Sequence, residues 1–122
     1  MIQLTRAEEE VMQVLWELEN AFVKEILEQF PEPKPAYNTL STIVRILEQK
    51  GVVSHEAIGR SHRYFPVLSK TQYRSASLER LSSDYFGGSF KELASCWLQD
   101  NQINIDDLEE IKALIGKRKK KN

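Results

Sequence analysis

Asn38, Ser41, Thr42 and Arg45 fall within the stretch PKPAYNTLSTIVRILEQKG, residues 33–51, at spacings that share one side of a helix. Their chemistry is hydrogen bonding. Asn can pair with adenine, Arg with guanine or a phosphate, and Ser or Thr with a base edge or a phosphate. A helix that needs only solvation usually shows Glu and Lys outward. Here no acid occurs between Tyr37 and Leu47, and the first is Glu48 near the far end. Long acids at those positions would repel a nucleic-acid backbone. Lys34 precedes the stretch, and Arg60 and Arg63 follow it, where they could reach flanking phosphates.

Other reactive side chains are few. His55 and His62 share one short segment with no third ligand close in sequence, so each is expected to face solvent or bond to backbone. Cys96 lies beside an apolar stripe and reads as a small buried hydrophobe. Trp16 and Trp97 read as core or interface residues. No nucleophile–base pair, phosphate-binding glycine loop or metal-spaced cluster occurs, so neither an enzyme nor a cofactor is expected.

The elements that must position the polar helix are legible. Thr5 and Glu8 fit a capping box. Ala7, Val11, Val14, Leu15 and Leu18 then recur at helical spacing, predicting a first helix over about 6–18. Asn20 is expected to cap a second helix, with Val23, Ile26, Leu27 and Phe30 inside. Pro31, Pro33 and Pro35 end it. The third helix spans about 37–50, with Leu40, Ile43, Val44 and Leu47 buried and Gly51 just past its end. Asn38, Ser41, Thr42, Arg45 and Gln49 lie opposite. Residues 52–68, rich in Val and aromatics, predict two strands turning at Ile58-Gly59-Arg60-Ser61. Helix, helix, helix, hairpin is the layout of a winged helix-turn-helix.

Beyond it the chain reads as three short amphipathic helices. Leu78, Leu81 and Tyr85 stripe the first. Gly87-Gly88 breaks it. Phe90, Leu93, Ala94 and Trp97 stripe the next, and Leu108, Ile111 and Ile115 the last. The winged domain's core is already accounted for, so these faces are expected to pack on a second copy. The predicted organisation is mostly α: a winged-helix domain over 1–68, a helical dimerisation region over 69–116, and a disordered basic tail over 117–122.

Charge follows the same division. Residues 1–30 carry two basic and seven acidic groups, net −5, and 31–80 carry eight and four, net +4. Residues 81–115 return to −5, and 116–122 hold five basic groups. A total of −1 thus hides a basic middle that coincides with the polar helix. No apolar run approaches the roughly 20 residues of a membrane span, and the acidic start lacks a signal-peptide apolar region. A cytosolic protein without membrane insertion is expected, consistent with a single cysteine.

Several spaced motifs carry a family resemblance. Ala7-Glu8-x-x-Val11-Met12-x-x-Leu15-Trp16 is followed by Thr39-x-x-Thr42 and Arg45-x-Leu47-x-x-Lys50-Gly51. Tyr64 lies near the end of the hairpin, and Gly87-Gly88 follows in order. Over nearly its whole length the chain resembles the penicillinase-repressor and methicillin-resistance repressor family. The resemblance implies a winged-helix repressor that dimerises through its C-terminal helices and blocks transcription from a dyad-symmetric double-stranded operator, with an antibiotic-resistance operon as the best-known setting. It carries DNA contact onto Asn38, Thr39, Ser41, Thr42 and Arg45; Tyr37, at the start of the same helix, is also expected to contact DNA. It also implies inactivation by a membrane sensor protease at an Asn-Phe bond, which Cys96-Trp97 replaces here. Copper-responsive relatives carry a cysteine-rich end; this one reads GKRKKKN, which excludes that version. Two other classes would leave different marks. A protein-interaction module would show an apolar or acidic patch on the third helix. A small-molecule-responsive regulator would need a polar-lined pocket.

Overall fold

The computed structural model describes residues 3–100 and 104–121, with side chains as far as 117. Six helices and one hairpin follow in order: α1 (Arg6–Leu18), α2 (Val23–Glu28), α3 (Tyr37–Gln49), β1 (Val53–Ile58), β2 (Ser61–Pro66), α4 (Lys70–Phe86), α5 (Phe90–Asp100) and α6 (Ile105–Lys121). They fall into two units, Met1–Ser77 and Leu78–Asn122.

In the first unit α1 starts at the expected box: the Glu8 N–H donates to Thr5 Oγ1 at 3.2 Å and the Thr5 N–H to Glu8 Oε1 at 2.7 Å. Val11, Met12 and Leu15 are buried, whereas Ala7 is exposed. Asn20 does not cap α2. The neighbouring Ala21 instead exchanges two backbone hydrogen bonds with Tyr64, at 2.9 and 2.8 Å, and the helix starts after Phe22. Pairing with the free edge of β2 satisfies the connector's backbone and delays the helix. Val23 and Ile26 are buried below, with Leu27 and Phe30 packed at the rim.

Leu40, Val44 and Leu47 of α3 complete a core with Val52, Val53 and Tyr64. The helix stops in a Schellman motif, with the Val52 N–H bonded to Leu47 O at 3.2 Å and the Gly51 N–H to Glu48 O at 3.0 Å. Gly51 sits at φ 82°, which a Cβ would disfavour. The chain then enters an antiparallel hairpin in which Val53 pairs with Pro66 and Ile58 with Ser61. Gly59 at φ 61° opens its two-residue turn.

The unit boundary lies within α4, beyond the expected 68/69 division. Trp16 Nε1 donates to Leu68 O at 2.8 Å, and its ring meets Tyr73 with centroids 5.8 Å apart. The Tyr73 hydroxyl lies 2.5 Å from Glu9 Oε2. These contacts tie the start of α4 to α1, and a Ser69–Gln72 capping box begins the helix.

The second unit comprises the rest of α4, the turn at Gly87-Gly88, α5 and α6. No residue of α4 or α5 is buried. Leu78, Leu81, Tyr85, Phe90, Trp97, Leu108, Ile111 and Ile115 are all exposed, and Leu93 is half-buried. Cys96, expected inside, is exposed, because the apolar stripe of α5 passes beside it rather than through it. Residues 117–121, expected to be disordered, continue α6. Lys and Arg are good helix formers and suit a helix C-terminus. Among the described residues no helix is long and apolar enough to cross a membrane.

Candidate nucleic-acid interface

The outward side of α3 is fixed by its inward one. With Leu40, Val44 and Leu47 locked in the core, Asn38, Thr39, Thr42, Arg45 and Gln49 are exposed, and Ser41 and Glu48 sit at the flank facing the hairpin. The outer side chains are held along the helix. Thr42 Oγ1 donates to Asn38 O at 2.9 Å. The Arg45 guanidinium reaches back to Ser41 O and Thr42 Oγ1, each at 3.4 Å. These long contacts leave the guanidinium free to extend.

A groove of about 760 Å³ runs between α3, the start of α2 and the hairpin. Tyr37, Asn38, Ser41 and Arg45 form one wall, residues 22–25 another, and Arg60, Ser61, His62 and Tyr64 the third. Its charged lining is Lys24, Arg45 and Arg60 against Glu25. The Glu25 carboxylate is engaged, accepting from the Phe22 N–H at 2.9 Å. The balance is positive, as a polyanion requires.

The expected site residues therefore divide. Tyr37, Asn38, Ser41, Arg45 and Arg60 meet in the groove. Thr39 and Thr42 are exposed on α3 outside its lining. Arg63 lies elsewhere. Directly paired residues share a face of the hairpin, so Arg63 stands with its partner Glu56, 3.7 Å away, on the face opposite to His55 and Tyr64. Lys34 has another employment: its ammonium donates to the carbonyls of Leu27, Glu28 and Phe30 at 3.3, 3.2 and 2.5 Å, closing the end of α2.

Residues 22–25, Ser61, His62 and Tyr64 line the groove beyond the expected site residues. For the last two a signal existed, since a two-residue turn fixes the register and hence which alternate residues face α3. Burial pushes the Tyr64 phenol above its ordinary pKa and the Glu48 carboxylate adds to this, against Arg45. His62 faces solvent, as expected, whereas His55 is half-buried. His55 Nδ1 lies 2.5 Å from Glu48 Oε2, and the His55 and His62 rings stack with centroids 4.0 Å apart. The hairpin's tight pairing brings the rings together. Among the described residues no cluster could hold a metal ion.

The chain is similar to known proteins. The penicillinase repressor of Bacillus licheniformis is 21% identical over 118 residues, covering 96% of this chain and 92% of its own. The methicillin resistance regulatory protein MecI of Staphylococcus aureus (strain N315) is 20% identical over 117 residues, 95% of each chain. The solution structure of the DNA-binding domain of the repressor BlaI superposes with a TM-score of 0.52 at 28% identity, covering 58% of this chain and 88% of that domain. The family described as penicillinase repressor matches residues 4–117. With that match spanning both units, the chain belongs to the penicillinase repressor family.

Proposed function

We propose that this protein is a DNA-binding transcriptional repressor that acts as a homodimer on a dyad-symmetric operator. The observation that carries the reading is the outward side of α3. It shows Asn38, Ser41, Thr42 and Arg45, contains no acid before Glu48, and borders a groove of positive balance. Such a helix fits the major groove, where small polar side chains and Arg read base edges. Arg60, at the hairpin turn, contacts flanking phosphate and sets register rather than sequence. Names of relatives, among them a penicillinase repressor and a methicillin resistance regulator, support repression and an antibiotic-resistance operon as its setting.

Dimerisation is supported by the second unit. Helices of this length do not hold themselves in water with a wholly exposed apolar stripe. A second copy laid on Leu78, Leu81, Tyr85, Phe90, Trp97, Leu108, Ile111 and Ile115 covers it. Two α3 helices then meet half-sites about one DNA turn apart. The test is fluorescence anisotropy with duplex DNA from upstream of the protein's own gene, a scrambled duplex as control, and a salt series. Tight, sequence-dependent binding that saturates at two chains per duplex is expected. Equal, weak binding to both duplexes would count against the reading.

A further inference from the structure

We infer that His62 is a further phosphate-contacting residue, held by a Glu48–His55 pair, and that its imidazole takes up a proton from solvent when DNA binds. This rests on the DNA-binding reading above. The geometry is a relay of position from α3 to the hairpin. The Glu48 carboxylate fixes His55 through Nδ1 at 2.5 Å. The His55 ring then lies under that of His62, with planes 9° apart and centroids separated by 4.0 Å. His62 is exposed and borders the groove beside Arg60, across from Arg45. Its ring nitrogens have no hydrogen-bond partner among the described residues. The stacked face is thus occupied and the polar edge is left for a ligand.

The flank between a recognition helix and its wing is where a sugar-phosphate strand passes when the helix enters the major groove. An imidazolium can donate from both nitrogens, and charge-assisted bonds to phosphate are strong ones. The surrounding charges explain why the proton arrives with the DNA. Lys24 and Glu25 of α2, Tyr37 and Arg45 of α3, and Arg60 and Tyr64 of the hairpin face the groove, while His55 stacks on His62 with Glu48 bonded to it from α3. Glu25 and Glu48 are already engaged, by the Phe22 N–H and by His55. Phosphates brought into the groove add negative charge beside the His62 ring, which favours its imidazolium over the neutral form.

The chain has two histidines, and imidazole is the side chain that ordinarily titrates between pH 5 and 8. Binding to the upstream duplex is therefore measured at pH 6, 7 and 8 and constant ionic strength, for the full chain and its H62Q and H55Q variants. Far-UV circular dichroism checks folding at each pH. One proton taken up strengthens binding by as much as about tenfold per unit of falling pH. The unsubstituted chain should show a slope of that sign. H62Q should lose it, with its largest deficit against the unsubstituted chain at pH 6, and H55Q should retain it in part. A flat profile for the unsubstituted chain overturns the inference, as does a folded H62Q with the full slope, or loss of the slope in H55Q alone. Absence of sequence-dependent binding at every pH would instead defeat the repressor reading, and this inference with it.

Discussion

The Lys50 ammonium donates to the Glu8 carboxylate at 2.7 Å, joining the end of α3 to the start of α1 across 42 residues of sequence. Glu8 is buried, while about a third of the Lys50 side chain remains exposed. The capping box of α1 is therefore also a tertiary clasp that sets α3 against the core. Removing one partner of a buried pair strands the other, at about 3–5 kcal/mol for full burial. Exposure of Lys50 reduces this, and Lys50→Met should cost on the order of 2 kcal/mol. Urea unfolding at pH 7 measures it; an unchanged midpoint would make the clasp irrelevant to stability.

The same pair sets an acid limit. Burial pushes the Glu8 pKa up, but the bonds from Lys50 and from Thr5 backbone and side chain outweigh it, so the net direction is down. A carboxyl depressed on folding contributes stability above its unfolded pKa of about 4.3 and loses it as pH falls through the folded value. Glu8→Gln should therefore destabilise the chain at pH 7. Its deficit should shrink as pH falls below the ordinary carboxylate range. Thermal melts from pH 7 to pH 3 would show this convergence, and a deficit constant with pH would contradict it.

Lys34 separates a structural duty from a DNA contact. Its ammonium satisfies carbonyls at the end of α2, where a cation also suits the helix dipole. Lys34→Ala should lower stability without DNA by about 0.5–1 kcal/mol. If phosphate contact is its main role, melting is unaffected and only the salt dependence of DNA binding changes.

Much of this was legible in the sequence, and the misses share a cause. Local periodicity placed α1, α3 and the hairpin within a residue or so, because the apolar positions of α3 and the Gly51 stop leave little choice. Asn20 misled because capping propensity is local, whereas Ala21 is claimed by the edge of β2. The reach of Glu8 to Lys50, of Lys34 to α2 and of His55 to Glu48 depends on packing between elements, which spacing alone does not encode. In the groove, α3 was foreseen because helical period fixes its outer side. Arg63 was assigned by charge alone, where strand alternation opposite Glu56 puts it on the other face.

Arg45 is the longest polar side chain on the outward side of α3. Arg45→Ala should weaken operator binding, by about 1–3 kcal/mol at one position if it pairs with a base. Binding to a panel of single-base operator variants distinguishes the modes. A base contact relaxes discrimination at one position, and a phosphate contact lowers affinity about equally on all. Unchanged affinity would remove Arg45 from the interface.

If this chain is inactivated by proteolysis as the family resemblance implies, Cys96–Trp97 is the bond expected to be cut in place of Asn-Phe. Both residues are exposed within α5. A helical bond must open locally before a protease can accept it, and in the proposed dimer that opening must also uncover Trp97. Incubation with the matching membrane sensor protease should yield fragments whose masses locate a cut at this bond. An intact chain would move release from the operator to another mechanism.

Leu78 and Leu81 lie three residues apart on α4, both exposed, and so line one side of the helix. If a second copy covers them, replacing both by Asp places carboxylates in an apolar contact, where desolvation is unfavourable and no cation is matched to them. The fold of the first unit should be unaffected, since its core ends before Ser77. Sedimentation equilibrium should then report a monomer that melts like the original first unit. Operator affinity should fall steeply, because two half-sites are no longer engaged by one linked pair of α3 helices. A variant that stays dimeric would place the interface elsewhere on α5 and α6. A monomer with full affinity would mean that one copy suffices, and the dyad would lose its physical basis.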